Sequence, residues 1–104
     1  MLVFNLKKEW YNKIKNGTKT TEYREIKPYW TKRFITAGCK PQQGGGFDCA
    51  GLRCQFKLGY TAETLHALIK NIRIVNGLET DLKIDEPVYA INFKLLPNKK
   101  NSPK

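Results

Sequence analysis

The stretch NGTKTTEYREIKPYW, residues 16–30, decides how this chain can fold, because it begins and ends on backbone stop signals. The Asn-Gly pair at its start ends a helix, since glycine readily adopts the left-handed conformation that follows a helix terminus. The segment KTTEYREI, residues 19–26, is rich in β-branched and aromatic residues and predicts a strand. Pro28 ends that strand and suits the first turn of a short helix over residues 28–35.

The residues before this stretch predict one strand and one amphipathic helix. LVFNL, residues 2–6, is a short apolar run of the kind found in strands. Leu6, Trp10 and Ile14 recur at intervals of four, which predicts a helix over residues 7–16 with Trp10 facing the core. The chain therefore enters the quoted stretch at the end of a helix.

The residues after the stretch predict mainly strands. Glycines and a proline make AGCKPQQGGGFD, residues 37–48, a loop, and its glycine run lacks the flanking residues of a phosphate-binding loop. Alternating or continuous apolar patterns predict strands at residues 50–60, 66–75 and 88–96, with an acidic loop at 78–87. The expected fold is a mixed α+β domain with one or two short helices and a small β-barrel of about five strands.

The chain length and the end sequences limit the organisation of the protein. A chain of 104 residues predicts one domain, here residues 1–96, followed by PNKKNSPK, residues 97–104, as a basic disordered tail. No apolar run reaches the ~18 residues of a membrane span. The opening MLVFNL is shorter than the apolar region of a signal peptide. We expect a cytoplasmic protein, with no membrane partner, that is a monomer.

The charge of the chain favours a polyanionic partner. Lys and Arg number 19 against 9 Asp and Glu, a net charge of +10. Residues 1–40 hold ten basic and three acidic side chains, a net +7. A basic half on a small domain indicates nucleic acid, and a solvated lysine surface is the alternative.

The cysteines do not indicate a disulfide framework, because their number is odd and no signal sequence precedes them. Cys39, Cys49, Cys54 and the single His66 could form a Cys₃His zinc set by residue type. His66 lies in an alternating apolar segment and Cys39 borders a glycine-rich loop, so buried thiols are the favoured interpretation. We expect no metal and no cofactor.

A strand, a lysine-bearing helix and then GTKTTEYR together resemble the ASCH domain, a branch of the PUA-like superfamily. The family motif is roughly G-x-K-x-x-E-x-R directly after a helix, and Gly17, Lys19, Glu22 and Arg24 match it here. The segments EIKPYWTKRF, LGY and VYAINF extend the resemblance over residues 2–94, most closely to small phage- and prophage-borne members. The insert CKPQQGGGFDC departs from the compact family pattern.

The resemblance implies a PUA-like barrel with a basic cleft beside the first helix and the motif strand. It implies binding of RNA or a nucleotide-like ligand in that cleft. Some relatives are hydrolases, either amidohydrolases acting on acylated cytidine or ribonucleases, so Lys19 and Glu22 are candidate catalytic residues. The amidohydrolase pattern places a nucleophilic threonine three residues after a lysine. Here that position is Glu22, and neither Thr20 nor Thr21 keeps the spacing.

The motif residues have a physical rationale for binding nucleic acid. In a regular strand Glu22 and Arg24 share one face, and the carboxylate can orient nearby cations. Arg24 offers a planar fork for a phosphate or a base edge, and Lys19 offers a point charge for a phosphate. Tyr29 and Trp30 could form a stacking platform for bases. The alternatives are an exposed Glu22–Arg24 pair of little energetic value and aromatic rings that only pack the core.

Overall fold

The computed structural model of the protein describes residues 1–97 and shows one curled mixed sheet with two helices. Residues 98–104, which hold nearly all of the predicted disordered tail, lie outside the described residues. Within residues 1–97, no helix is both long and apolar enough to cross a bilayer. In chain order the elements are β1 (Leu2–Leu6), α1 (Lys8–Lys15), β2 (Thr21–Glu25), α2 (Pro28–Ala37), β3 (Lys40–Pro41), β4 (Phe47–Leu58), β5 (Thr64–Asn76) and β6 (Pro87–Leu95).

The five predicted strands and both predicted helices are confirmed, with shifts of a few residues at their ends. The predicted loop at residues 37–48 is wrong in part, because it contains β3 and the start of β4. These strands form a hairpin around the glycine run, in which the amide of Gln42 donates to the carbonyl of Gly46 at 3.1 Å. A glycine run can therefore lie within a tight hairpin, and its composition alone does not exclude the flanking strands.

The sheet is a half-barrel whose strand order is β1-β4-β5-β6-β2, with β3 on the side of β4. β1 pairs with β4 in parallel, and the other neighbours are antiparallel. β1 and β2 are thus at the two ends of the strand order, and no backbone ladder joins them in the part of the chain that the structure describes. The expected α+β class and barrel-like sheet are confirmed at this level.

The core fills the concave side of the sheet and is covered by one face of each helix. α1 buries Tyr11 and Ile14 completely, and α2 buries Phe34. Trp10 was predicted to be a core residue, but it is only partly buried and packs at the edge of the core. The prediction treated Leu6 as the start of the helical repeat. Leu6 instead ends β1, and the helix begins at Lys8 and turns Tyr11 and Ile14 inward in place of Trp10 and Ile14.

The four candidate zinc ligands do not assemble. Cys39, Cys49 and Cys54 are buried free thiols. Cys54 points into the core, whereas His66 is opposite Gln55 and therefore lies on the other face of the sheet. Among residues 1–97, no three metal-binding side chains form a group that could hold an ion.

We expect Gly46→Ala to destabilise the protein by about 1–3 kcal/mol more than Gly44→Ala, because of these two glycines only Gly46 is overpacked by a methyl group. Both glycines have positive φ, 81° and 86°, so both substitutions strain the backbone. A methyl group on Gly46 would lie 2.5 Å from the carbonyl oxygen of Ile72, whereas one on Gly44 meets nothing within 4 Å. Urea denaturation of the two variants measures the difference. Equal unfolding free energies would show that the hairpin does not pack tightly on β5.

Candidate functional site

A pocket of about 350 Å³ lies in the seam between β1 and β2, where the half-barrel is open. β1 contributes one wall and β2 the other, while α1, α2 and the loop before β6 surround them. The lining residues are Asn5, Leu6, Lys7, Trp10, Glu22, Tyr23, Arg24, Glu25, Lys27, Trp30, Asp81 and Leu82. The motif strand predicted from the sequence therefore forms part of a concave surface.

Arg24 connects the two walls of the pocket. Its Nε donates to Glu22 Oε2 at 2.8 Å, and its Nη2 lies 2.7 Å from the same oxygen. Nη2 also donates to the backbone carbonyl of Asn5 in β1 at 3.1 Å. The guanidinium carbon lies 5.0 Å from the ring centre of Trp30 and 5.3 Å from that of Phe4. This side chain thus links the two end strands that backbone hydrogen bonds do not join.

Glu22 is a buried carboxylate, 5% exposed, because strand alternation turns it inward from β2. Its Oε1 lies 3.7 Å from Lys19 Nζ, an ion-pair distance that is too long for a hydrogen bond. Burial raises the pKa of Glu22 above its usual range, although the charges of Arg24 and Lys19 act in the opposite direction. Oε1 therefore keeps acceptor capacity that no donor among residues 1–97 uses.

Lys19 is held in place by a carboxylate that the sequence did not indicate. Its side chain is 9% exposed, and Nζ contacts Asp81, which is 62 positions away in the chain. Nζ also lies 4.9 Å from the ring centre of Tyr23 and 5.3 Å from that of Trp10. Asp81 lies in the predicted acidic loop at residues 78–87, for which the sequence indicated no contact. The loop before β6 returns to the end of α1, and only the tertiary fold brings these residues together.

The aromatic residues divide between the pocket and the surface around it. Trp30 lines the pocket and stacks on Phe4, with ring centres 5.1 Å apart. Tyr29 is 59% exposed, contacts the edge of Trp30 and is not among the lining residues. Trp10 and Tyr23 line the pocket but were not predicted as site residues. Both tryptophans of the chain therefore contact this pocket.

The charges that line the pocket are balanced. Three cations, Lys7, Arg24 and Lys27, face three carboxylates, Glu22, Glu25 and Asp81. Lys19 adds one further cation behind Glu22, where Asp81 also pairs with it. The pocket is thus suited to a ligand with a flat ring and polar edge atoms, and it lacks the excess of cations that a phosphate chain requires.

Thr20 and Thr21, which follow the motif lysine, line a second hollow of about 310 Å³ on the other side of Lys19. The Thr21 hydroxyl donates to Asn92 Oδ1 at 2.8 Å, and the Asn92 amide donates to Asn71 Oδ1 at 2.8 Å. Thr20 is exposed. The hydroxyl proton of Thr21 is therefore already donated within a chain of side-chain hydrogen bonds that leads away from Glu22.

Comparisons of the chain with protein-family models, with curated proteins and with solved structures found no match in any of the three. The resemblance to the ASCH domain consequently depends on the motif and the order of elements alone. Of the five predicted site residues, Lys19, Glu22, Arg24 and Trp30 come together at the seam, and Tyr29 lies outside it.

Proposed function

We propose that the protein binds single-stranded RNA and holds one nucleotide of it in the seam pocket. One observation carries this proposal. Two tryptophan rings, a fixed guanidinium and a buried carboxylate line a single space of about 350 Å³. A nucleobase offers a π-face for the rings and hydrogen-bonding atoms on its edge for the polar groups.

The polar groups of the pocket are arranged in advance of binding. Arg24 is fixed by Glu22 and by the carbonyl of Asn5, so its guanidinium loses little conformational freedom when a ligand arrives. Glu22 Oε1 accepts no hydrogen bond from the described part of the chain and can accept an N–H from a base edge. Trp10 and Trp30 line the pocket, and a base that stacks on either ring gains ~1–3 kcal/mol.

Tryptophan fluorescence tests the proposal, because both tryptophans line the pocket. We expect that titration with a mixed-sequence RNA 12-mer quenches the emission, and that uridine and cytidine monophosphates do so at higher concentration. A pentaphosphate, which has charge but no base, is the matched control and should leave the emission unchanged. Equal quenching by pentaphosphate and RNA, or none by either, would contradict a nucleotide pocket.

A second candidate function is hydrolysis of a nucleoside or an RNA phosphodiester, with Glu22 as general base and Lys19 beside it. It is supported by the raised pKa of a buried carboxylate that lies 3.7 Å from a lysine amine. A threonine nucleophile receives no support, since Thr21 donates its proton to Asn92.

Turnover assays separate the two candidates. N4-acetylcytidine and a labelled RNA are incubated with the wild type, Glu22→Gln, Thr20→Ala and Thr21→Ala. Binding without turnover favours the RNA-binding function. Turnover that is lost in Glu22→Gln and kept in both threonine variants favours the hydrolase.

A further inference from the structure

The outer face of the β4–β6 part of the sheet carries side chains that point away from the core. Along β4, Cys54 and Phe56 are buried, and the residues between them alternate to the opposite face. This surface, which we call the outer sheet face, includes Arg53, Lys57, His66, Leu68 and Lys94 at its centre. Lys70, at the bulge of β5, and Arg73 extend it.

The outer sheet face is strongly basic. β4, β5 and β6 hold five cations, Arg53, Lys57, Lys70, Arg73 and Lys94, and one carboxylate. That carboxylate, Asp48, lies near the start of β4 and accepts from the amide of Ala50. Within residues 1–97, none of the five cations forms an ion pair, in contrast to Lys19 and Arg24 in the pocket.

Two of the cations, Arg53 and Lys94, lie on the two sides of one residue of β5. Leu68 is opposite Arg53 on one side and opposite Lys94 on the other, so two cations flank one partly buried side chain. Arg53 and Lys94 are two strand spacings apart, which is roughly 10 Å between their backbones. Gln55 and His66, which form the next cross-strand pair, add uncharged hydrogen-bonding groups. Clustered like charges do not stabilise the sheet, so the arrangement is better explained by an anionic partner.

The Lys94 end of the outer sheet face lies next to the second hollow, which Lys19 and Thr20 line. The amide of Phe93 donates to the carbonyl of Thr20 at 3.3 Å, so Lys94 lies at the end of β2 that is next to Lys19. A chain leaving the pocket at this end meets Lys94 first and then, across β5, Arg53. Lys94 and Arg53 therefore lie on the side of β2 that faces away from β1.

We infer that the outer sheet face binds the phosphate backbone of the same RNA strand whose nucleotide occupies the pocket. The inference rests on the proposed function. It assigns the contacts to RNA phosphates to the outer sheet face and leaves the contacts to a base in the pocket. The balanced pocket provides contacts to a base, whereas unpaired lysines and arginines on a sheet provide sequence-independent phosphate contacts. Such contacts make affinity depend on salt, with a logarithmic slope of about 0.7 per phosphate for single strands.

The test compares two double variants of the full chain that lose the same charge. Arg53→Gln/Lys94→Gln removes two cations from the outer sheet face. Lys8→Gln/Lys15→Gln is the control, because it removes two exposed cations of α1 that form no ion pair within residues 1–97. A labelled RNA 12-mer is titrated at several salt concentrations, and uridine monophosphate binding is measured by tryptophan emission. We expect the sheet variant to lower the salt slope by about 1.4 and the control to leave it near the wild-type value.

The outcomes separate this inference from the proposed function. If uridine monophosphate and the 12-mer still quench tryptophan but the sheet variant keeps the wild-type salt slope, the outer sheet face is not the backbone site and the pocket assignment stands. If the α1 variant loses as much slope as the sheet variant, the inference is also overturned. If neither RNA nor the mononucleotide binds, the proposed function fails and this inference with it. If polyglutamate displaces the RNA at equal charge concentration, the partner is an acidic polypeptide and the inference is wrong.

Discussion

The Arg24→Met variant is expected to have a free energy of unfolding about 2–4 kcal/mol lower than that of the wild type. The substitution removes one partner of a buried ion pair and leaves the charge of Glu22 buried without a counter-charge. Glu22 is 5% exposed, and Arg24 is both its strongest cationic neighbour and its hydrogen-bond donor. The substitution also removes the hydrogen bond to the carbonyl of Asn5, which links β1 to β2 across the open seam. The loss should be smaller than for a fully enclosed pair, since the side chain of Arg24 is 22% exposed.

The neighbouring ion pair of Lys27 and Glu25 is the matched control. Its atoms are 3.8 Å apart and both side chains are about half exposed, so Lys27→Met should change the stability by less than ~1 kcal/mol. The double variant Glu22→Gln/Arg24→Met should recover part of the loss, because no buried charge remains. Urea denaturation of the four proteins measures these differences. Equal losses in Arg24→Met and Lys27→Met would show that the seam pair is an ordinary surface contact.

The second large effect is expected on binding and not on stability. Glu22→Gln should weaken RNA 12-mer binding about 10- to 100-fold, the range of a lost hydrogen bond to a charged group. Its unfolding free energy at neutral pH should equal or exceed that of the wild type, because the raised pKa means that the charged form of Glu22 is less stable in the folded protein than in the unfolded chain. Fluorescence titration and urea denaturation on the same sample measure both quantities. A variant that loses stability but binds normally would contradict this role for Glu22.

The pH dependence of RNA binding and of stability, compared between the wild type and Glu22→Gln, provides the control. Binding to the wild type should strengthen as pH rises and Glu22 loses its proton, with a midpoint above the usual range for a glutamate. The pKa of Glu22 is higher in the folded protein than in the unfolded chain. The contribution of Glu22 to the free energy of unfolding is therefore fully present below the pKa of the unfolded chain and is lost as pH rises through the pKa of the folded protein. Glu22→Gln should lack both trends. A binding midpoint that persists in Glu22→Gln would assign the titration to another group.

Much of the fold and part of the site could be predicted from local patterns. β-branched runs and apolar alternation identified every long strand, and the Asn-Gly pair separated α1 from β2. The alternation of β2 correctly placed Glu22 and Arg24 on one face, where they form an ion pair. These features depend on residues that are near one another in the sequence.

The features that were missed depend on distant parts of the chain. Asp81 carries no local signal, and it contacts Lys19 only because the loop before β6 returns to α1. Trp10 was assigned to the core because apolar residues recur every four positions from Leu6. That spacing does not reveal that Leu6 ends a strand and does not belong to the helix. The sequence located the excess charge in residues 1–40. Several of those cations pair with carboxylates, and the unpaired cluster on β4–β6 is visible only when the strands are side by side.

The most direct test of a nucleotide pocket at the seam is an NMR titration of the two tryptophan indole N–H signals with a mixed-sequence RNA 12-mer. Both tryptophans line the pocket. Because the chain has two tryptophans, one tryptophan-to-phenylalanine variant assigns both signals. We predict that both signals shift and saturate together with the binding curve, and that Glu22→Gln reduces the shifts at equal RNA concentration. RNA binding that saturates while both indole signals stay in place would contradict the account.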